Sequence, residues 1–408
     1  MNLPRVVGIV AEYNPLHNGH AFHLSRAREI AKADAVVIVL SSHFVQRGEP
    51  AIADKWERAR MALASGANLV LELPTAFSCH NAGVFAAGAI DILASTGIVS
   101  HLAFGMENAK DPKVEAIVDI LTHETQAFKD ALRQMLSQGR SFVESQARAV
   151  DSFLPGAFAV MSQPNNILAI AYMKRMREKG YPIEVVPVER IGAPYHDIKP
   201  GPTASATAVR RSLWDGNWDE VSDSVPPSTM AILRRCAAEG RLFYSWDRLW
   251  RMVRTAIIRS EASELKRYAE MKEGLEKRIL REAWRCRSFE ELISSLACRR
   301  YPRGRLQRHL IHILLGVNHW TNRAYQRLGP AYIRLIGADG RGRALLRQMR
   351  STAALPVISR ASLPGNSYAS EMLTLERRAS EMWELLVDSP DPGREARSTP
   401  VMGPRDSY

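Results

Sequence analysis

The sequence predicts an α/β protein: a doubly wound parallel sheet followed by a mostly α-helical, basic segment. Three observations point there. Short runs that are apolar nearly throughout, Val6–Ala11, Ala35–Leu40, Asn68–Leu73, Leu102–Phe104 and Ile183–Val188, recur over the first 225 residues. Strands covered on both faces look like this, whereas one-sided strands alternate. Amphipathic helical stretches fall between them, among them Lys55–Ser65, closed by Gly66, and Glu107–Leu136. Beyond a Pro/Ser/Asp-rich stretch at Val221–Thr229 no strand pattern persists, and Met230–Glu239, Trp246–Met271, Leu275–Arg285, Phe289–Leu296, Leu306–Leu315 and Glu371–Leu386 read as helices. The expected organisation is therefore a first domain over 1–225, a helical domain over 226–386, and a disordered Pro/Asp/Ser/Gly-rich tail over 387–408.

Composition narrows the function classes. Hydrophobic residues make up 46% and charged residues 24%, and no apolar run reaches the length of a membrane span. The N-terminus lacks the sections of a signal peptide, so a cytoplasmic protein without a membrane partner is expected. Cys79, Cys236, Cys286 and Cys298 have no zinc spacing and read as buried or free thiols, and His309 and His312 sit among Ile and Leu, so no metal site is expected. The net charge of +12 is unevenly spread. Residues 229–408 hold 33 Lys+Arg against 19 Asp+Glu, and residues 1–228 hold 22 against 24. Residues 299–350 carry twelve arginines, no lysine and one acid, Asp339. A polyphosphate backbone is the natural partner of such a segment, and Arg299, Arg300, Arg303, Arg305 and Arg308, with Tyr301 between them to stack on a base, are its candidate RNA contacts.

The densest chemical signal follows the first strand: Glu12-Tyr13-Asn14-Pro15-Leu16-His17-Asn18-Gly19-His20. Strand, tight turn, then helix sets an anion against a helix N-terminus. Asn14-Pro15 suits the turn, and Gly19 permits close approach of a ligand to the backbone. His17 and His20, three apart, share a face and could present N–H donors to a polyphosphate. Alone, these histidines could equally cap the helix and pack.

They do not stand alone. His17-Asn18-Gly19-His20 resembles the HxGH signature of the nucleotidyltransferase superfamily, whose domain is Rossmann-like, and Ser205-Ala206-Thr207-Ala208-Val209-Arg210 resembles its second signature, hydroxyls at a helix start followed by arginine. Further segments occur in order: Gln46-Arg47-Gly48-Glu49-Pro50, Asp54-Lys55-Trp56, Leu71-Glu72-Leu73-Pro74, Phe104-Gly105, Pro164-Asn165-Asn166-Ile167-Leu168, Tyr195-His196-Asp197, Glu273-Gly274-Leu275-Glu276, the arginines from Tyr301 to Arg308, and Leu355-Pro356. Together they resemble the bacterial tRNA(Met) cytidine acetate ligase family over about residues 5–386.

That resemblance implies a reaction: acetate and ATP form acetyl-adenylate, and the acetyl group passes to N4 of the wobble cytidine of elongator tRNA(Met). It implies ATP along Val10, Ala11, Glu12, Tyr13, Asn14, Pro15, Leu16, His17, Asn18, Gly19, His20 and His23, completed by Gly105, Asn165 and Arg190, with Ser205, Thr207 and Arg210 on the phosphates. A carboxylate attacking the α-phosphorus is anion meeting anion, so positive charge and alignment matter more than a strong base. His17, His20 and Lys55 are the candidate catalytic groups, beside Arg190, and magnesium is expected to arrive bound to ATP. Two departures from the family pattern, Ser42 followed by His43 and Leu16, are expected to border the site and bear on acid choice. Two other classes stay open: a small-molecule adenylyltransferase of the same superfamily, and a non-catalytic RNA-binding protein.

Overall fold

The computed structural model describes residues 4–107, 109, 111–189, 204–362 and 367–403. Its strands are β1 (Val6–Ala11), β2 (Ala35–Ser41), β3 (Phe44–Val45), β4 (Glu49–Pro50), β5 (Leu69–Leu73), β6 (His101–Met106), β7 (Glu184–Glu189), β8 (Ile333–Ala338), β9 (Val357–Ile358) and β10 (Val401–Met402). The main sheet runs in the order β10-β8-β5-β2-β1-β6-β7, with β9 also paired to β8, while β3 and β4 form a separate hairpin. From β5 to β7 all pairings are parallel. The chain order therefore reverses direction at β1, leaving a crevice between the ends of β1 and β6, where doubly wound sheets bind ligands.

The continuous apolar runs have the expected cause. On β2, Val37 and Val39 join one hydrophobic cluster and Val36, Ile38 and Leu40 the other, so both faces of the strand are covered by helices. Five of the ten strands match the expected ones to within about two residues at either end. The helical stretches are more divided than expected. Glu107–Leu136 becomes two helices, Lys113–Thr122 and Gln126–Ser137, and Trp246–Met271 becomes Trp246–Ile258 and the single turn Ala262–Leu265.

Three expectations are corrected. First, the second half is not without strands: β8 pairs antiparallel with β5 and extends the sheet. The run Ile333-Arg334-Leu335-Ile336 escapes apolar pattern reading because Arg334 interrupts it, yet Arg334 is buried against Glu395 and Glu72. Second, residue 225 is not a break between two cores. Val221–Thr229 spans the end of the helix Trp218–Ser224 and the start of the helix Pro227–Ala238, and one cluster runs from Leu102 and Phe104 on the sheet to Leu310 and Trp383 in the helical half. Third, residues 387–403 of the tail are ordered, residues 404–408 lying outside the described residues. It forms the short helix Arg394–Arg397 and strand β10, and Glu395 is buried. Composition favours disorder where few apolar side chains can be buried; this segment is held instead by ion pairs.

Those ion pairs centre on Lys55, which is 1% exposed. Its ammonium contacts Glu72, lies 3.0 Å from Glu376 and 2.8 Å from Glu395, and Arg334 contacts Glu395 and lies 3.5 Å from Glu72. Glu376 also accepts from Thr75 N at 2.8 Å and from the Ser42 hydroxyl. Burial and the neighbouring Arg334 work against the Lys55 charge, but three carboxylates outweigh them and raise its pKa. Burial, then Glu376 beside it, pushes the Glu72 carboxyl up to about 7. The charged members thus come from five distant places in the chain. Around them Arg241 joins Glu384 to Asp54, and Arg394 reaches Asp54 at 2.9 Å.

Lys55 is therefore a structural residue in this fold, not a wall of the crevice. Removing one partner from a buried ion cluster leaves uncompensated charge and costs about 3–5 kcal/mol. Lys55→Met is accordingly expected to lower unfolding free energy by that order in urea titrations. Unchanged stability combined with lost catalysis would restore the catalytic role to Lys55.

Candidate active site

At the crevice between β1 and β6 lies a cavity of about 250 Å³. Its walls include Val10 to Asn14 from the end of β1, Phe104 and Gly105 from β6, Val188 from β7, and Gln46, Arg47 and Glu49 from the β3–β4 hairpin. Three helices bring N-terminal residues to it: Asn18–Ile30 with His17, Gly19 and His20; Pro164–Lys179 with Asn165 and Leu168; and Ala206–Trp214 with Ser205, Ala206 and Thr207. Each helix start carries partial positive charge and outward N–H groups. Three such ends on one cavity make an anion site.

The histidines are built into the first of these helix starts. His17 is the N-cap, and its Nδ1 accepts from Gly19 N at 3.1 Å. His20 occupies the third helical position, and its Nδ1 accepts from His17 N at 3.3 Å. The two make a reciprocal capping box. Both neutral rings must then carry their proton on Nε2, since an Nδ1 that accepts from a backbone N–H cannot also be protonated. The rings stack at 3.7 Å between centroids, and Tyr13 packs edge-on to His20 at 5.1 Å. Gly19 is needed for this packing, because a Cβ there would lie 2.9 Å from His17 Cε1.

The turn between strand and helix is held from behind. Tyr13 has φ +44°, and Asn14 Oδ1 accepts from Ile52 N at 2.7 Å. Arg210 donates to Asn14 O at 2.7 Å, to Glu49 at 3.3 Å and to Thr207 Oγ1 at 3.4 Å, tying the second signature to the first. Ser205 caps its helix, accepting from Ala208 N at 3.2 Å. Fully buried Arg58 donates to four carbonyl oxygens, those of Glu12, Ser41, Ser42 and Ala53, at 2.6–3.0 Å. Burial lowers its pKa to about 10, still charged at neutral pH. Burial likewise raises the Glu12 carboxyl, although Gln46 N donates to it at 2.8 Å. On the β6 side Asn165 donates to Glu107, and Asn166 Oδ1 accepts from Glu107 N at 3.0 Å.

Most of the expected nucleotide residues meet here. Val10, Ala11, Glu12, Tyr13, Asn14, His17, Gly19, His20, His23, Gly105, Asn165, Ser205, Thr207 and Arg210 all line the cavity. Pro15, Leu16 and Asn18 do not: Leu16 is fully buried in the core, and the Asn18 side chain donates to Asp223 O at 3.0 Å. Ser42 and His43 are also fully buried, beside Glu376 and the Lys55 cluster, so neither departure from the family pattern borders the cavity. Arg190 and Tyr195-His196-Asp197 lie outside the described residues. Sequence reasoning missed Gln46, Arg47, Glu49, Phe85 and Tyr172 as walls. The segment Gln46–Pro50 is part of a motif, but nothing in it shows that the hairpin lines the cavity with the end of β1.

The basic segment is also placed differently. Arg303 pairs with Glu290 and Arg300 with Glu273. Arg305 stacks on Tyr301 at 4.5 Å, and Tyr301 is buried, so it is not the base-stacking aromatic expected of it. Arg308 turns inward and donates to Gln46 O at 3.2 Å, while Gln307 donates to Glu49 at 3.2 Å. Gly48, φ +74°, packs so tightly here that a Cβ would lie 2.4 Å from Arg308 N. The helix Arg303–Leu315 thus buttresses the cavity hairpin. Arg299 is exposed. His312 Nε2 lies 2.9 Å from Cys79 O, and among the described residues all four cysteines are free, Cys298 alone exposed. No described helix is long and apolar enough to cross a membrane.

Comparison with known proteins agrees with this geometry. The HIGH Nucleotidyl Transferase family model matches residues 4–397. The tRNA(Met) cytidine acetate ligase of Syntrophomonas wolfei is 35% identical over 98% of this chain and 99% of its own length. That of Lysinibacillus sphaericus is also 35% identical, over 97% of both chains. The crystal structure of Thermotoga maritima TmcAL in its apo form superposes with TM-score 0.94 at 29% identity, covering 98% of this chain and all of that one. The same protein bound to alpha-thio ATP superposes with TM-score 0.91 over the same shares. With the cavity at the strand switch point, the paired signatures and near full-length similarity, this chain belongs to the HIGH nucleotidyltransferases and, within them, to the tRNA(Met) cytidine acetate ligase family.

Proposed function

We propose that this chain is an ATP-dependent RNA-acetylating ligase that activates acetate as acetyl-adenylate and transfers the acetyl group to N4 of the wobble cytidine of elongator tRNA(Met). The observation that carries the reading is the convergence of three helix N-termini and the His17–His20 pair on one cavity. In the first step an acetate oxygen bonds to the α-phosphorus and the bond to the β-phosphate oxygen breaks, releasing pyrophosphate. Charge moves onto the leaving oxygen, where Nε2–H donors, helix-start N–H groups and Arg210 are preorganised to meet it. In the second, the cytidine amine attacks the acetyl carbonyl carbon, AMP departs with its bridging oxygen, and the nitrogen loses a proton. Magnesium enters as part of the nucleotide substrate. Among the described residues the one group of metal-ligand type close enough to share an ion, His43, Glu376 and Glu395, is buried around Lys55, outside the cavity. A tRNA substrate supports a cytoplasmic site of action.

Incubation with ATP, labelled acetate and total tRNA separates this reading from its rivals. Labelled tRNA with AMP and pyrophosphate supports it. ADP and phosphate would point to an acyl phosphate, and labelled tRNA failing to form would favour an adenylyltransferase of small molecules or an RNA-binding protein.

Two variants follow from the geometry. His17→Asn keeps a side chain that can cap the helix but removes the Nε2–H, and is expected to slow acetate-dependent pyrophosphate exchange by about 10²–10³-fold with folding retained. Exchange at the wild-type rate in that variant would end the role given to His17. Arg308→Ala releases the cavity hairpin, so exchange and transfer should both slow; a loss confined to tRNA affinity would return Arg308 to the RNA surface.

A further inference from the structure

The helix His319–Leu328 presents the most exposed large hydrophobic side chain among the described residues, Trp320, at 79%. An indole left in water is costly, and its neighbours deepen the puzzle. With successive side chains about 100° apart, Arg323 and Arg327 lie within about 60° of Trp320, while Asn322 and Tyr325 point about 140–160° away. The burial pattern agrees: Arg323, Arg327 and Trp320 are exposed, and Asn322 and Tyr325 are buried. Neither Arg323 nor Arg327 has an ion-pair partner among the described residues, in contrast to Arg300 and Arg303. Two more exposed cations flank the start of the helix. Lys266 and Arg267 sit on the turn joined to it by the Tyr268–Asn318 bridge and by the bond from His319 N to Arg267 O at 2.7 Å. His319 packs edge-on to the indole at 5.1 Å and fixes one side of it.

The opposite face is keyed to the catalytic half. Gln326 Nε2 lies 3.2 Å from His80 Nε2, and His80 directly precedes Asn81, which caps the helix Ala82–Ser95 whose Phe85 lines the cavity. The helix that carries the exposed face is therefore joined by a direct contact to the half that holds the cavity.

We infer that the Trp320–Arg323–Arg327 face is an RNA contact, with the indole stacking on an unpaired base and the two guanidiniums, with Lys266 and Arg267, gripping the adjoining phosphates. This rests on the RNA-acetylating reading and assigns the contact to a surface other than the arginines at 299–308. An aromatic platform among unpaired cations is the arrangement single-stranded nucleic acid requires, since every base has a π-face and every linkage a negative charge. A protein partner would gain from the indole, but would have to supply several acids to match four cations that have no ion-pair partner among the described residues.

The test uses the full chain. Trp320→Ala should weaken tRNA binding about 5- to 150-fold, and Trp320→Phe should recover most of the loss. Arg323→Ala with Arg327→Ala should reduce the slope of log K against log salt by about 1.4–1.8. Acetate-dependent pyrophosphate exchange without tRNA should stay at the wild-type rate in all three, which also verifies folding. If the wild type neither exchanges nor binds tRNA, the proposed function itself fails. If it does both and Trp320→Ala binds tRNA as tightly, the inference is overturned. A change in oligomeric state on sedimentation, with tRNA affinity unaltered, would overturn it too and show that the indole covers a second copy of the chain.

Discussion

The ammonium of Lys55, enclosed by Glu72, Glu376 and Glu395, is the constraint on which the rest of the architecture depends. Such a cluster contributes little net stability, because desolvating each ion offsets most of the attraction. Its effect is on topology: the full set of pairs forms only when residues 55, 72, 334, 376 and 395 have assembled. Helix Lys55–Ala64, strands β5 and β8, helix Ser367–Glu384 and the C-terminal turn must therefore all be in place together. The hydrophobic cluster that continues from the sheet into the helical half has the same consequence. What the composition divides into a catalytic domain, a basic domain and a loose tail is, in its packing, one interlocked body.

The candidate active site is arranged on that body by contacts that serve folding and, in the function proposed, chemistry at once. The Nδ1 atoms of His17 and His20 satisfy backbone N–H groups at the helix start, and in doing so set the tautomer that leaves Nε2–H as a donor. Arg210 and Arg58 hold the turn by donating to its carbonyl oxygens, so that guanidinium charge lies behind the anion site, offset in part at Arg58 by the carboxylates of Asp54, Glu12 and Glu376. The Gln46–Glu49 hairpin is braced by Arg308 and Gln307 from the helical half, which makes the basic segment part of the cavity's support as well as its surroundings.

Much of this was legible in the sequence, and the failures have physical causes. Strands buried on both faces announce themselves as unbroken apolar runs, and the strand–turn–helix with its two histidines is local, so both read directly. β8 is hidden because Arg334 interrupts its start, neutralised by a glutamate 61 positions later. Lys55 reads as catalytic because it stands in a motif, but a motif also records structural ion pairs, and its partners Glu376 and Glu395 are more than 300 positions away. The arginines from 299 to 308 signal only type and density in the sequence, whereas their roles depend on whether an acid or a carbonyl lies opposite in space. Trp320 carried no local signal, since exposure is a property of the packed surface.

The central claim is that acetate itself attacks the α-phosphorus in the cavity beside His17 and His20. Acetate labelled with ¹⁸O in both carboxylate oxygens tests it most directly, with the products of a single round of tRNA acetylation read by mass spectrometry. One carboxylate oxygen becomes the bridge of the adenylate and stays with phosphorus when the cytidine nitrogen takes the acetyl group. The account predicts AMP carrying one ¹⁸O and unlabelled pyrophosphate. AMP without label, or label appearing in inorganic phosphate beside ADP, would contradict it.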